Sequence, residues 1–570
     1  MIISKIERVE EIPIVLYWLT EMCIAEKIDS IWQSHGNWQG LSYGQLTVLY
    51  ITYIINSLSH TLSGMEDWVE EHRVLLEMVT GWEIGEKDAT DDRVGIMMSD
   101  FGNDTAKILE FHQNNGHQII QAFELPTEVG RYDTTSVSVN HSKKGDSKGL
   151  LSFGHSKDKR PDLLQFKQGL GVLDPAGIPI FSETISGNDA DDPLYVPAWR
   201  QMVKTVGTPN FLFVSDCKGS ALETRASIAS EGGFYLIPLA RTGKIPEELE
   251  NLVKNPPITP EDIILSDVKD KHGNPTKVGK GFVVEVEPEC DSHTWTERWF
   301  VARSDSHASM KNKSRTKRLK KAETALIKLT PKSEEEVGSF SQRASKVLKK
   351  HSVENMIDIS VDEIVNQQKR FLKRGRPTED TPFKIIETRQ LKLNFTFNQE
   401  QIEKEELLAG WRIYATNTAA ERMTLEQSCQ YYRDEWLVER SFHRFKGGSL
   451  PILPLFLRLE ERIKGLMMLL TIALQVLTLI EFVVQCELAA DCETVSGLVP
   501  GNPTISTPRP TAERIFNKFK QLHLVITWTK NYIKVFLQEK LTPLQQRLLA
   551  LMEVPVEIYE SLILRQRIYT

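Results

Sequence analysis

The chain has 570 residues, 41% hydrophobic and 26% charged, the composition of an ordinary folded protein, and at about 150 residues per domain its length predicts several domains. Its net charge of −8 excludes a global basic field, so any nucleic-acid partner must be held by local patches. The six cysteines (Cys23, Cys217, Cys290, Cys429, Cys486, Cys492) form no C-x-x-C pair, which argues against a zinc site or a disulfide framework and fits a reducing compartment.

Residues 1–125 read as a helical N-terminal domain. Helical periodicity runs through Ile12–Ile24, Tyr43–Leu58 and Thr105–Phe123. The stretch Met1–Val9 mixes charged and apolar residues without a signal-peptide pattern, so a cytoplasmic location is expected. This region holds 7 Lys+Arg against 20 Asp+Glu, a net of −13, which makes it a poor phosphate binder.

From 126 to 240 the pattern changes to strands: Gly130–Val139, Leu164–Leu173, Ile178–Ile185, Asn210–Ser215 and Phe234–Leu239. Helices are expected at Leu194–Val206 and Ala221–Glu231, and Asp174–Gly177 (DPAG) reads as a hairpin turn. Three strands followed by helix–strand–helix–strand predict a mixed α/β sheet, the first half of a catalytic core. Residues 241–417 read as an insertion, with strands at Gly281–Val286, Arg298–Arg303 and Leu393–Phe397 and a basic helical section at Lys311–Lys350. Between Arg303 and Arg376 there are 19 Lys+Arg against 9 Asp+Glu, a net of +10, so the phosphate-contacting surface is expected here. Lys311–Lys321 includes Lys317, Arg318, Lys320 and Lys321, and Arg374-Gly375-Arg376-Pro377 is similar to the core of AT-hook peptides, whose arginines enter a narrow minor groove.

Strand-like Gly410–Thr416 returns the chain to the core, whose second, helical half spans 418–495. Gly465–Cys486 is long enough to cross a bilayer, but Thr471, Gln475, Thr478 and Glu481 interrupt it and it continues a charged helix, so a buried core helix without a membrane is expected. After a Pro/Gly/Thr-rich linker, Ser496–Pro510, two helices at Thr511–Leu522 and Pro543–Leu562 complete a C-terminal helical region, 496–570.

Three acids stand in contexts that suit metal-directed carboxylates. Asp133 lies in the β-patterned Arg131–Ser136 (RYDTTS), and Asp216 ends the apolar run Phe211–Ser215. Glu439 lies in Tyr431–Lys446, read as one continuous helix on which Tyr432, Glu439 and Lys446 recur every seven residues on one face, with Glu435 on the same stripe as the fallback ligand. Two strand-borne aspartates and a helix-borne glutamate suit a two-metal phosphoryl-transfer site, because carboxylate oxygens hold Mg²⁺.

These motifs, together with Gly154–Leu163 (GHSKDKRPDL), Gly187-Asn188-Asp189, Gly410–Asn417 and Gly497–Arg514, resemble those of the DDE transposases of bacterial insertion sequences, in the group with the motif Y-x2-R-x3-E-x6-K. The likeness spans nearly the whole chain, with one departure: Glu435 stands where the motif has arginine. The resemblance implies a ribonuclease-H-like core interrupted by the insertion, with Asp133, Asp216 and Glu439 as the triad. It implies two Mg²⁺ ions, replaceable by Mn²⁺, and DNA contacts from Tyr432, Arg440 and Lys446. It further implies cleavage of double-stranded DNA at the element's ends, joining of the 3′-OH to target DNA, and work as a homodimer near the nucleoid. Some such enzymes form hairpin DNA ends with the help of an aromatic residue that stacks on a flipped base, a role in which Trp411 is the candidate. Two alternatives stay open: a DNA-binding relic with impaired catalysis, and a structure-selective nuclease on the same core.

Overall fold

The computed structural model describes residues 3–141, 149–372, 382–529 and 532–567. The N-terminal region gives β1 (Ile3–Arg8), α1 (Ile12–Glu21), α2 (Ile24–Ile31), α3 (Tyr43–Ser57), α4 (Leu62–Thr80), α5 (Asp91–Asn103) and α6 (Thr105–Ala122). Each helix of the sequence reading is present, and α3 starts at a capping box between Ser42 and Gln45. There follow β2 (Val129–Val139), β3 (Leu164–Leu173), β4 (Ile178–Ser186), α7 (Tyr195–Val206), β5 (Leu212–Ser215), α8 (Leu222–Ser230) and β6 (Phe234–Pro238).

The middle of the chain forms α9 (Ile245–Lys254), β7 (Glu261–Lys269), β8 (Pro275–Val286), the two-residue strands β9 (Glu289–Cys290) and β10 (His293–Thr294), and β11 (Glu297–Ser304). Two basic helices follow, α10 (Asp305–Ile327) and α11 (Val337–His351), then β12 (Ile357–Phe371), β13 (Phe383–Phe397), α12 (Gln399–Leu407) and β14 (Trp411–Thr416). The last part holds α13 (Leu425–Arg433), α14 (Trp436–Gly447), α15 (Glu460–Ala490), β15 (Val495–Ser496), β16 (Ser506–Thr507) and α16 (Ala512–Phe516). It closes with β17 (His523–Trp528), β18 (Tyr532–Leu537), α17 (Pro543–Leu551), α18 (Glu557–Glu560) and β19 (Leu564–Arg567).

Nine strands build one mixed sheet in the order β4-β3-β2-β5-β6-β14-β11-β8-β7. β2, β5 and β6 are parallel, while β3, β4 and the four strands of the middle region pair antiparallel to their neighbours. The α/β class is as expected, but the middle region does more than interrupt the core. Its strands β14, β11, β8 and β7 lengthen the core sheet along the free edge of β6.

The apolar helix α15 lies against α3, α5 and β4, and its most apolar 18-residue window is entirely buried. Its polar residues are satisfied there: Gln475 donates to Pro179 O at 2.8 Å and Thr471 to Ser182 Oγ at 2.9 Å. A helix enclosed by protein on every side can be apolar all round, which accounts for its resemblance to a membrane span.

Three elements depart from expectation. The C-terminal region is not wholly helical: β17 and β18 form a hairpin that pairs with β1 and β19 in a four-stranded sheet, joining the two ends of the chain. The expected short strand at Leu393–Phe397 is the base of a two-stranded ribbon, β12–β13, with 15 residues in each strand. At about 3.4 Å per residue the ribbon reaches about 50 Å, and most of its outer side chains are exposed.

The third departure concerns the expected helix Tyr431–Lys446, which is broken. α13 ends at Arg433 and α14 begins at Trp436. In a continuous helix Tyr431 O would accept from Glu435 N. Here the buried Arg131 guanidinium takes that carbonyl at 2.6 Å, and Glu435 N turns to Tyr432 O at 3.3 Å. The seven-residue stripe therefore holds from Glu439 to Lys446 but not back to Tyr432.

Candidate active site

β2 and β5 are adjacent parallel strands with Tyr132 opposite Ser215, so the residues that follow, Asp133 and Asp216, stand side by side. Chain connections leave the sheet in opposite directions at this point, β2 leading to β3 and β5 to β6, and a crevice at such strand ends is the usual place for a site in an α/β sheet. Asp133 Oδ1 accepts from Thr134 N at 2.7 Å and lies 3.6 Å from Lys157 Nζ. Asp216 caps the turn Cys217–Ser220, its Oδ1 accepting from Lys218 N at 2.9 Å and from the Tyr195 hydroxyl at 2.5 Å.

α14 packs on β2 and supplies the other acids. Glu439 is exposed in its first turn, and Glu435 is the residue just before it. Burial raises the Asp133 carboxyl to about 6, with Asp216 and Glu439 adding to the rise and Lys157 opposing it. Burial likewise raises Glu435 to about 7, with Asp133, Asp216 and Glu439 each adding. Four carboxylates thus act on one another across one space, and Glu435 belongs among them.

Two ion-pair systems hold this frame. Arg131 forks onto Asp174 with two 2.6 Å bonds while holding Tyr431 O, tying β2 to the β3–β4 turn and to the end of α13. Glu481, the one carboxylate deep in α15, is fully buried between Arg440 and Arg444 of α14. Arg444 lies 2.6 Å from Glu481 and 2.8 Å from Glu513, and Glu481 also accepts from Ala512 N at 2.9 Å. The orientation of α14, and with it that of Glu439, is fixed by charge pairs inside an apolar setting.

Several expected DNA contacts are placed otherwise. Arg440 faces inward to Glu481, because a buried carboxylate needs a partner, and so is not presented to DNA. Tyr432 is half-buried, its ring 4.8 Å from that of Tyr414 and its hydroxyl 3.1 Å from Arg412 Nη1. Trp411 is only 4% exposed and packs against Phe282 inside the sheet, so in this conformation it is not available to stack on a base. Lys446 pairs with Asp158 at 2.8 Å, in the same loop that brings Lys157 to Asp133. Lys317, Lys320 and Lys321 are exposed on α10, whereas Arg318 donates to Ser352 O at 2.5 Å. Arg374 and Arg376 lie outside the described residues.

Sequence reasoning missed Lys157 as the cation of the acidic site, and it missed Tyr195 and Arg131. An aligned pair of short motifs, K-D-K beside R-Y-D, carried no signal of their contact. Hard oxygen donors in this number suit a cation such as Mg²⁺. Among the described residues no three His, Cys, Asp or Glu side chains stand close enough to form a ready metal cage. That spacing and the mutual influence of the four acids differ in what they suggest. The four acids act on one another electrostatically from positions wider than such a cage. No protein-family model matches the chain, and a search of curated proteins finds no significant match.

Proposed function

We propose that this chain is a DNA phosphoryl-transfer enzyme of the DDE transposase kind, cutting double-stranded DNA at the ends of an insertion sequence and joining the 3′-OH ends to target DNA. The observation that carries this reading is the mutual electrostatic action of Asp133, Asp216, Glu435 and Glu439 around the point where β5 ends beside the middle of β2. The strand order β4-β3-β2-β5-β6, with an antiparallel meander beside three parallel strands, supports a ribonuclease-H-like core.

Asp133, Asp216 and Glu439 would hold two Mg²⁺ ions, with Glu435 as a fourth oxygen donor. When bound, such ions stabilise the negative charge that spreads over the phosphate oxygens during in-line displacement. The chain's own residues then have separate tasks. The turn Cys217–Ser220 and Tyr195 keep Asp216 aimed, Lys157 steadies Asp133, and Glu481 holds α14 so that Glu439 faces the same space. In cleavage a water oxygen attacks phosphorus and the strand leaves as a free 3′-OH. In joining, that hydroxyl attacks a target phosphodiester, its proton passing to solvent or a nearby carboxylate, and a new 3′-OH leaves. No tyrosine or serine nucleophile is required.

The test is excision in cells of a marked element bounded by the repeats that flank the gene. Excision by the wild type and none by Asp133→Ala, Asp216→Ala or Glu439→Ala would support the reading. Excision that survives Asp133→Ala or Asp216→Ala would overturn it, and survival in Glu439→Ala alone would transfer the third role to Glu435.

A further inference from the structure

Near the acids lies a group of basic side chains without a paired carboxylate among the described residues. Arg412 is on β14, and Arg241 follows β6. His307 and Lys311 lie one turn apart on α10 and share a face of it. The chain brings them together through a close approach. Gly410, at φ +82°, starts β14 so near to α10 that a Cβ there would lie 2.6 Å from Ser304 O and 2.8 Å from the Ala308 Cβ.

None of the four has a carboxylate within 4.0 Å among the described residues, and Glu405 is the only acid that acts on Arg241 and Lys311. The partners of the two arginines are neutral: Arg412 donates to the Tyr432 hydroxyl and Arg241 to Trp411 O. The cations also oppose one another. Burial and then Arg241 and Arg412 hold the Lys311 ammonium down, and burial followed by Lys311, Arg412 and Arg241 does the same to His307. Like charges that share a space without counter-ions are a binding site for an anion.

Two depressions share the start of α10. One, of about 590 Å³, is lined by residues that include His307, Arg412 and Tyr432. The other, of about 260 Å³, is lined by residues that include Arg241, Lys311 and Arg318. Two of the residues lining the first act on groups of the acidic site: Tyr432 on Glu435, and Arg412 on Cys217, the residue after Asp216. The second also has Ser314, Arg315 and the carboxylate of Glu405 in its lining. The basic side chains therefore run along one side of α10, from His307 to Arg318.

We propose that Arg241, His307, Lys311 and Arg412 form a phosphate-binding site that grips the backbone of the DNA strand leading into the carboxylate cluster. The inference rests on the DNA reading above but assigns residues and a route that the motif resemblance does not. Its chemistry is that of a backbone phosphodiester read without regard to base, since guanidinium and ammonium groups meet phosphate oxygens directly.

The experiment measures binding of the full-length chain to a short random-sequence duplex across a salt series, without added metal so that cleavage plays no part. The variants are Arg241→Gln/Lys311→Gln, the charge-preserving Arg241→Lys/Lys311→Arg, and Lys346→Gln/Lys349→Gln on α11 as a charge-matched control. The expected result is a loss of about tenfold in affinity for the first variant. The slope of log K against log salt should shrink by about 0.9 for each phosphate contact removed. Near-wild-type binding is expected from the charge-preserving pair and a smaller loss from the control. Far-ultraviolet circular dichroism and melting identify a misfolded first variant, in which case Lys311→Gln alone is compared with Lys346→Gln alone.

Equal losses in the first variant and the control, with the same slopes, would overturn the site while leaving the carboxylate reading intact. Displacement of the duplex by inorganic phosphate at equal phosphate concentration would mark a small-anion pocket and overturn the strand-binding role. Absence of any salt-dependent DNA binding by the wild type would instead sink the functional reading itself.

Discussion

The acidic cluster on β2, β5 and α14 and the basic cluster on β14 and α10 are built on opposite plans from the same material. In the first, four carboxylates share a space with Lys157 as the nearby cation. In the second, Arg241, Lys311 and Arg412 lie with the imidazole of His307, and Glu405 is the acid that acts on Arg241 and Lys311. Each is unfavourable alone, because like charges in partly buried surroundings raise one another's energy. In contrast, Glu481 is closely matched by Arg440 and Arg444. The first cluster is thus suited to cations and the second to phosphate. A phosphodiester held beside metal ions would complete both.

The largest effects should come from breaking the acidic side. Asp133→Asn and Asp216→Asn are each expected to lower strand cleavage by about 10³-fold or more, the loss of several kcal/mol of charge stabilisation. Timed cleavage of the flanking-repeat duplex by purified protein checks this, and retention of a tenth of the activity would contradict it. Next in size is the anchor of α14. Glu481→Gln takes the shared counter-charge from Arg440 and leaves the buried Arg444 with Glu513 alone, and should destabilise the fold by about 3–5 kcal/mol, measured by urea unfolding. A change below about 1 kcal/mol would mean that Glu513 alone suffices for Arg444.

The acids should also imprint a pH dependence on the metal-free protein. Glu435 is raised from 4.5 to about 7 and Asp133 from 3.8 to about 6, so between those values the folded chain holds protons that the unfolded chain has released. Stability therefore falls as pH rises through this window and is lowest above about pH 7. Glu435→Gln removes part of that fall and should gain about 1–3 kcal/mol over the wild type at about pH 8 but little at about pH 4. Melting curves at the two pH values decide it, and an equal gain at both would point to packing instead of charge. The smallest expected effect is that of Trp411→Phe. As a core residue it should lower stability modestly, by about 1 kcal/mol, and leave cleavage within about twofold of wild type. A large loss of cleavage with unchanged stability would restore the base-stacking role.

What could be read from sequence follows the reach of the interactions involved. Asp133 and Asp216 were visible because a β-patterned or apolar run leads into each, and strand pairing then places Asp216, just past the end of β5, beside Asp133 in the middle of β2. The core helix α15 was visible because its polar residues are few and its length is set by its own sequence. The break between α13 and α14 was not, since no proline or glycine marks it. It arises because Arg131, about three hundred positions earlier, takes one helix carbonyl. The C-terminal hairpin was missed although Leu524–Trp528 and Tyr532–Leu537 are rich in β-branched and aromatic residues, and its pairing with β1 joins opposite ends of the chain. The basic site was equally hidden: Arg241, His307, Lys311 and Arg412 come from three separate stretches, which meet where Gly410 approaches the start of α10.

The central claim is best tested by incubating the purified chain with a duplex that carries the repeats flanking the gene, with and without Mg²⁺, beside Asp133→Asn. The account predicts new 3′-OH ends at the element boundary with wild type and Mg²⁺, and none without the metal or with the variant. Cleavage that is equal in Asp133→Asn, or that proceeds in chelator, would contradict it.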